Sequence, residues 1–233
     1  MSRILVVDDE EPIRRLVHSY LTDEGFEVEE LPDGQAAVDR MTRGPEIDLI
    51  VMDVRMPKLN GVDALREIRR TSDTYVIMLT AATEETDRLI GLSVGADDYI
   101  TKPFSPREVV ARVKAVLRRS RCAAAPAERS VLEFEGLTID VDQHTVERDG
   151  GAMELTALQF QLLLALAESP KRVFARHQLI ERVWGQDFFG EERIVDVHIG
   201  NLRKALGDDP SDPQIIGTVR GVGYRFVAEP LDR

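Results

Sequence analysis

Apolar residues along the first 120 positions come in short blocks separated by amphipathic stretches. The blocks are ILVV (4–7), a weaker FEVEEL (26–31), DLIVM (48–52), YVIML (75–79) and DYI (98–100). Runs this short and this uniformly apolar fit strands covered on both faces, as in a parallel sheet. Between them, Ile13, Leu16, Val17, Tyr20 and Leu21 recur at helical spacing, as do Val109, Val113 and Val116. Five such β-α units predict a doubly wound parallel sheet with right-handed crossovers.

The pattern then breaks. Residues 121–130, RCAAAPAERS, carry no periodic apolar signal and read as a linker between a domain at 1–120 and another at 131–233. The second domain opens on short alternating segments, VLEFEGLTIDV and HTVERDGGAMEL, whose Glu-Gly, Asp-Gly and Gly-Gly turns predict a small antiparallel sheet. Helical patterns follow near 156–168, with Thr156 as N-cap, 175–183 and 192–206. IIGTVRGVGYRFVA closes the chain as a hairpin.

Composition narrows the class. With 233 residues, 43% of them hydrophobic and 31% charged, the chain reads as a two-domain globular protein. No apolar tract reaches the roughly 18 residues a membrane span needs, and no secretory signal is legible at the start. The single Cys122 allows no internal disulfide, so a cytoplasmic location is expected. The net charge of −12 argues against bulk attraction to nucleic acid and asks for a local basic patch instead.

Candidate chemistry lies where the strands end. Parallel doubly wound sheets bind ligands beyond the carboxyl ends of their strands. There ILVV leads into Asp8-Asp9-Glu10, DLIVM into Asp53, YVIML into Thr80, and DYI into Thr101-Lys102-Pro103. If the first and third runs are neighbours, Asp8, Asp9 and Asp53 converge. Three carboxylates in one crevice repel each other, and a hard divalent cation, Mg²⁺ by preference, relieves that repulsion while leaving coordination for phosphate oxygens. Lys102 and Thr80 add a cation and a hydroxyl. An Asp so placed can accept a phosphoryl group as an acyl phosphate. The rival reading, acids that merely start loops, suits one such residue better than groups at four strand ends.

VVDDEE, DVRMPKLNG, MLTA and GADDYITKPF resemble the signature segments of the response-regulator receiver domain, over residues 3 to about 120. The resemblance implies a flavodoxin-like strand order 2-1-3-4-5, with Asp53 as phospho-acceptor and a sensor histidine kinase as donor. It implies Mg²⁺ on Asp8, Asp9, Asp53 and the backbone carbonyl of Arg55. Lys102 would contact the phosphoryl group, Thr80 and Tyr99 would form a switch pair, and the bond before Pro103 would be cis. Arg55 departs from the smaller or uncharged residue expected two places after the acceptor. Arg88, Asp97, Asp98, Glu108, Arg112, Lys114 and Arg119 match residues that form inter-subunit salt bridges in PhoB/OmpR-type homodimers, although their charge pattern alone also fits a solvated helix.

On a helical wheel of 191–207, Val195, Ile199, Leu202 and Leu206 form a core face. Arg193, Val197, Gly200, Asn201 and Lys204 lie opposite, Ile194 beside them, and His198 and Arg203 on the flanks. Ile194 and Val197 suit a major groove, where thymine methyls need apolar contact, Arg193 and Asn201 suit base edges, Lys204 and Arg203 suit phosphates, and His198 joins the DNA-binding set. Arg220 at the hairpin turn suits a narrow minor groove. Residues 1–120 carry 17 Lys and Arg against 23 Asp and Glu, and 121–233 carry 13 against 19, so any basic face is local. LTALQFQLLLALAE, VFARHQLIERVWG, RIVDVHIGNLRKALGD and TVRGVGYRF resemble the α+β winged-helix output domain of the PhoB/OmpR family. That implies a recognition helix at 192–206, a wing at 215–228, and a loop at 184–191 that meets RNA polymerase. Trp184 is either an exposed polymerase contact or a core cap. The implied function is a two-component transcriptional regulator, not an enzyme, that dimerises on phosphorylation and binds direct or tandem repeats in double-stranded DNA. A winged helix acting only through protein contacts is the rival that the acidic charge favours.

Overall fold

The computed structural model describes residues 1–81, 94–122, 131–185, 188 and 192–231, with side chains of 118–122 left aside. Two compact units divide it, Met1–Leu117 and Arg118–Arg233.

In the first unit, β1 (Arg3–Val7), β2 (Glu27–Leu31), β3 (Leu49–Asp53), β4 (Tyr75–Ala81) and β5 (Asp98–Lys102) form one parallel sheet in the order β2-β1-β3-β4-β5. Order and direction match the sequence expectation. Every residue of β3 is buried, and each fully buried Ile, Val or Met side chain contributes about 1.5–3 kcal/mol. The helices are α1 (Glu11–Asp23), α2 (Gly34–Met41), α3 (Gly61–Ile68) and α4 (Pro106–Cys122). Asp33 and Asn60 N-cap α2 and α3 by accepting from the backbone N–H groups of Ala36 and Asp63, each at 2.9 Å. Leu16 and Tyr20, part of the apolar pattern of α1, are exposed. Helix α4 reaches Cys122, two residues into the stretch read as linker; 123–130 lie outside the described residues.

The second unit opens with an antiparallel sheet of β6 (Val131–Phe134), β7 (Leu137–Asp140), β8 (Thr145–Arg148) and β9 (Gly151–Met153). Helix α5 (Ala157–Ala167) starts at a capping box in which Thr156 and Gln159 each satisfy the other's backbone N–H. A third strand that the sequence did not announce, β10 (Val173–Ala175), pairs with the closing hairpin. The helical pattern at 175–183 divides into α6 (Arg176–Leu179) and a π-helical turn, Ile180–Trp184. Helix α7 (Arg193–Leu206) ends on Gly207, whose φ of 68° is the left-handed cap glycine supplies cheaply. The hairpin, β11 (Ile216–Val219) and β12 (Gly223–Phe226), completes a three-stranded sheet in the order β10-β12-β11. Gly223 has no room for a side chain, because a Cβ there would lie 2.0 Å from the carbonyl oxygen of Phe174. No described helix is long and apolar enough to cross a membrane.

Candidate functional site

Sheet register places the acids. Val7 pairs with Met52 across β1 and β3, so Asp8 and Asp53 leave adjacent strands side by side. Thr80 and Thr101 pair across β4 and β5, bringing Lys102 to the same edge. The Lys102 Nζ lies 2.8 Å from Asp8 Oδ2, 2.8 Å from Asp53 Oδ1 and 3.6 Å from Glu10 Oε1. Asp8 also accepts from the backbone N–H of Glu10 at 2.9 Å, and Asp53 Oδ2 from that of Arg55 at 2.9 Å. Gly61 makes the cup possible from below: a Cβ there would meet the Asp53 carbonyl oxygen at 2.0 Å. Thr80 is buried, while Tyr99 is half-buried and packs on the apolar cluster containing Met52, Val54 and Met78. The Lys102–Pro103 bond is cis, as expected.

Burial pushes the Asp53 carboxyl up to about 6; the Lys102 bond and charge pull it back only in part, and Asp8 adds repulsion. Burial also works against the Lys102 ammonium, but its bonds to Asp53 and Asp8 outweigh that and hold it above its ordinary value. The two directions agree physically, because the Asp53 side chain is the deeper partner, 7% exposed against 21%. A consequence follows for stability in metal-free buffer. The folded state binds a proton at Asp53 that the unfolded chain, titrating near 3.8, releases sooner. Stability from this group is therefore fully present below about 3.8 and is lost as pH rises through about 6. Asp53→Asn is expected to be more stable than the parent at pH 8 by on the order of 2 kcal/mol, with the difference gone by pH 4, in paired urea titrations.

The metal set is only partly assembled. Asp8 and Asp53 are both buried and all-oxygen, which fits a hard cation. Asp9, next in the chain, is exposed. Among the described residues no three His, Cys, Asp or Glu side chains stand in metal-holding geometry. The three-carboxylate convergence expected from the sequence is here two carboxylates and an ammonium, because Lys102 reaches between the acids.

Several residues assigned to a subunit interface serve the interior instead. Asp97 and Asp98 are each 1% exposed. Asp97 accepts from Arg69 Nη2 at 3.0 Å and the backbone N–H of Val76 at 2.7 Å. Arg112 is buried and donates to both Asp98 oxygens at 3.1 and 3.0 Å, and to Glu108 at 3.4 Å. Lys114 is tied to Glu24 of α1. Arg88 and the Arg119 side chain lie outside the described residues.

On α7 the exposed or half-exposed set is Arg193, Asp196, Val197, Gly200, Asn201, Lys204 and Ala205. Three sequence assignments need correction. Ile194 is 1% exposed, His198 3% and Arg203 8%, so none presents its side chain to a groove. The wheel assumed one covering surface. In the fold α7 is covered from several sides: His198 lies 5.4 Å from the Trp184 ring, and Arg203 turns toward β11. Trp184 is fully buried, which makes it a core cap. Gly200 has nothing within 4 Å of a Cβ position, so the backbone there stands open. Arg220 and Val222 are exposed in the three-residue turn of the hairpin, where Gly221 has a φ of 75°. Sequence reasoning missed two groups. Asp196 Oδ1 accepts from Arg176 Nε at 2.8 Å and the Tyr224 hydroxyl at 2.7 Å; burial first, then the Asp196 bond, pushes that phenol up to about 12. Asp208 is a buried backbone acceptor in a loop that looked like ordinary polar sequence.

Comparison with known proteins bears on the whole chain. The response regulator receiver domain family matches residues 4–114, and the family described as transcriptional regulatory protein, C terminal, matches residues 150–226. The transcriptional regulatory protein SrrA of Staphylococcus aureus is 43% identical over 99% of this chain and 98% of its own length. The chain is a response regulator of the PhoB/OmpR family. A solved mutant of RitR superposes with a TM-score of 0.79 at 31% identity, covering 97% of this chain and 99% of that one. DrrB of Thermotoga maritima, described as an OmpR/PhoB homolog, gives 0.51 at 36% identity over 97% and 99%. Membership makes this PhoB/OmpR regulator a two-component transcriptional regulator with a receiver and a DNA-binding domain, and not an enzyme. It also implies a sensor kinase as partner, and Mg²⁺ at the phosphorylation site as in receiver domains generally.

Proposed function

We propose that Asp53 accepts a phosphoryl group from a phosphohistidine of the kinase, and that this drives dimerisation and promoter binding. The observation that carries the reading is Lys102 Nζ at 2.8 Å from both Asp8 and Asp53. An Asp53 carboxylate oxygen forms the new bond to phosphorus while the donor's N–P bond breaks, its electron pair returning to the imidazole. Asp8, Asp9, Asp53 and the Arg55 carbonyl would hold Mg²⁺, which supplies charge neutralisation for the phosphoryl oxygens when bound. Lys102 transfers its hydrogen bond from the Asp53 carboxylate to a phosphoryl oxygen. Thr80 donates its hydroxyl, and Tyr99 follows inward into space bordered by the same apolar cluster. The protein acts in the cytoplasm.

The phosphorylated state shifts a pre-existing equilibrium toward a homodimer. The dimer surface lies around β5 and α4, with Glu108 and Lys114 at its rim; Asp97, Asp98 and Arg112 support that surface from inside. Two heads then engage direct or tandem repeats with raised effective concentration. In each, Arg193, Val197 and Asn201 meet base edges, Lys204 meets phosphate, and Arg220 enters the minor groove. RNA polymerase is the further partner, met near the segment that follows Trp184.

A salt series of duplex binding tests this. Binding is expected to tighten on phosphorylation and to fall steeply with salt, and Lys204→Ala to reduce the slope by about one. Failure to bind duplex even at low salt would favour a domain that acts only through protein contacts.

A further inference from the structure

The link between α7 and the hairpin runs through residues 207–215, long enough to leave two DNA-reading elements loosely connected. The structure closes it. Asp208, 4% exposed, follows the Gly207 cap directly, and its own N–H is anchored to the Arg203 carbonyl at 2.8 Å. Its carboxylate accepts three backbone N–H groups at the far end of the loop: Gln214 at 2.8 Å, Ile215 at 3.1 Å and Ile216 at 2.9 Å. Arg203 works beside it. Its guanidinium donates to the Ile216 carbonyl at 2.5 Å and to Thr218 Oγ1 at 2.8 Å, and lies 5.7 Å from the Tyr224 ring centre.

Ile216 is where these bonds meet. Strand β11 is an edge strand, so alternate residues present unpaired N–H and C=O groups outward. Ile215 spends its carbonyl on Val227 across the hairpin at 2.9 Å. Ile216 faces the other way, and both its backbone groups are taken, one by Asp208 and one by Arg203. A buried carboxylate with three N–H donors and a buried guanidinium on a carbonyl are charge-assisted bonds, stronger than the neutral ladder they replace. Removing either partner leaves a buried polar group unsatisfied.

We propose that Asp208 and Arg203 are positioning residues that couple the recognition helix to the wing, so that α7 and Arg220 read DNA as one preorganised unit. The inference rests on the reading of Arg220 as a minor-groove contact. It gives Arg203 a role other than the phosphate contact its sequence position suggested. Preorganisation makes the second contact nearly intramolecular once the first is made. If the coupling is lost, Arg220 still exists but no longer arrives in place.

The experiment is a double-mutant cycle on duplex binding by the full, phosphorylated chain. The probe is a duplex recovered from random sequence with the parent protein, at one fixed salt concentration. Arg220→Ala is made in three backgrounds: parent, Asp208→Asn and Arg203→Lys. Asp208→Asn keeps the shape but turns one acceptor into a donor against the Ile216 N–H. Arg203→Lys keeps the charge and loses the fork, which guards against one background failing to fold; thermal unfolding checks each. Arg220→Ala is expected to weaken binding about tenfold in the parent and less than about twofold in the Asp208→Asn or Arg203→Lys background. A general loss of stability would instead leave the Arg220 penalty unchanged, and equal penalties in all three backgrounds would overturn the coupling. No penalty in the parent would overturn the minor-groove reading of Arg220, and the coupling with it.

Discussion

Lys102→Met takes up phosphoryl label from acetyl phosphate on the order of 100-fold more slowly than the parent. The methionine keeps most of the aliphatic stem, so the packing of a side chain already 21% exposed changes little. What goes is the cation that lies 2.8 Å from both Asp8 and Asp53. Two buried carboxylates then face each other without a mediator, and one of them takes a proton near neutral pH. Because Lys102 is what pulls Asp53 down, its loss moves that carboxyl above about 6. A protonated Asp53 is a poor nucleophile, and a phosphoryl oxygen arriving at the site finds no ammonium. The two effects separate by pH. Raising the pH recovers the first and not the second, so part of the deficit persists at pH 9. Label uptake against time at several pH values, with carbon NMR titration of the Asp carboxyls, checks both. A variant within about twofold of the parent would mean that Lys102 is only a structural counter-ion.

Arg112→Ala has the largest expected effect on stability. The Arg112 side chain is 6% exposed and Asp98 1%. Removing the guanidinium takes two hydrogen bonds and the neutralising charge from a buried carboxylate on β5, which also accepts from the backbone N–H of Tyr99 at 2.8 Å. Breaking a buried pair from one side costs about 3–5 kcal/mol. Arg112→Met with Asp98→Asn, which removes both charges, is expected to recover most of that loss. Urea unfolding with hydrogen exchange at the β4 and β5 amides measures it. Arg112→Ala costing under about 1 kcal/mol would return Arg112 to the interface role that its resemblance to PhoB/OmpR-type residues implied.

How legible this was depended on whether one surface or several covers an element. Strands β1, β3 and β4 carry the continuous apolar runs 4–7, 49–52 and 75–79 because they are buried on both faces, and a short apolar block has few other uses. The strand order brings Asp8, Asp53 and Lys102 to one edge, and register sets Asp8 beside Asp53. Sequence does not show which way a flexible side chain leans. Asp9 stays exposed while Lys102 spans its neighbours, a matter of rotamers rather than of strand order. The same holds for Arg112. Its spacing from Glu108 is visible, but whether it turns outward to a second subunit or inward to Asp98 depends on how α4 is seated on β5. For α7 the wheel found four buried residues, Val195, Ile199, Leu202 and Leu206, but missed Ile194, which is as deep at 1% exposed. It failed at the flanks, where the Trp184 turn and the hairpin extend the covered arc to His198 and Arg203. Strand β10 was hidden because three residues carry too little periodicity to stand out from the helix pattern that follows. Asp208 gave no sign, since GDDPSDP reads as a polar turn until its carboxylate is seen to hold the backbone of Gln214, Ile215 and Ile216.

All of the signalling account depends on Asp53 as the residue that carries phosphate. Incubating the parent and Asp53→Asn with labelled acetyl phosphate and Mg²⁺, then following acid-stable, hydroxylamine-sensitive label, tests that most directly. Label is expected on the parent and none on the variant. Equal labelling of the two proteins would contradict it.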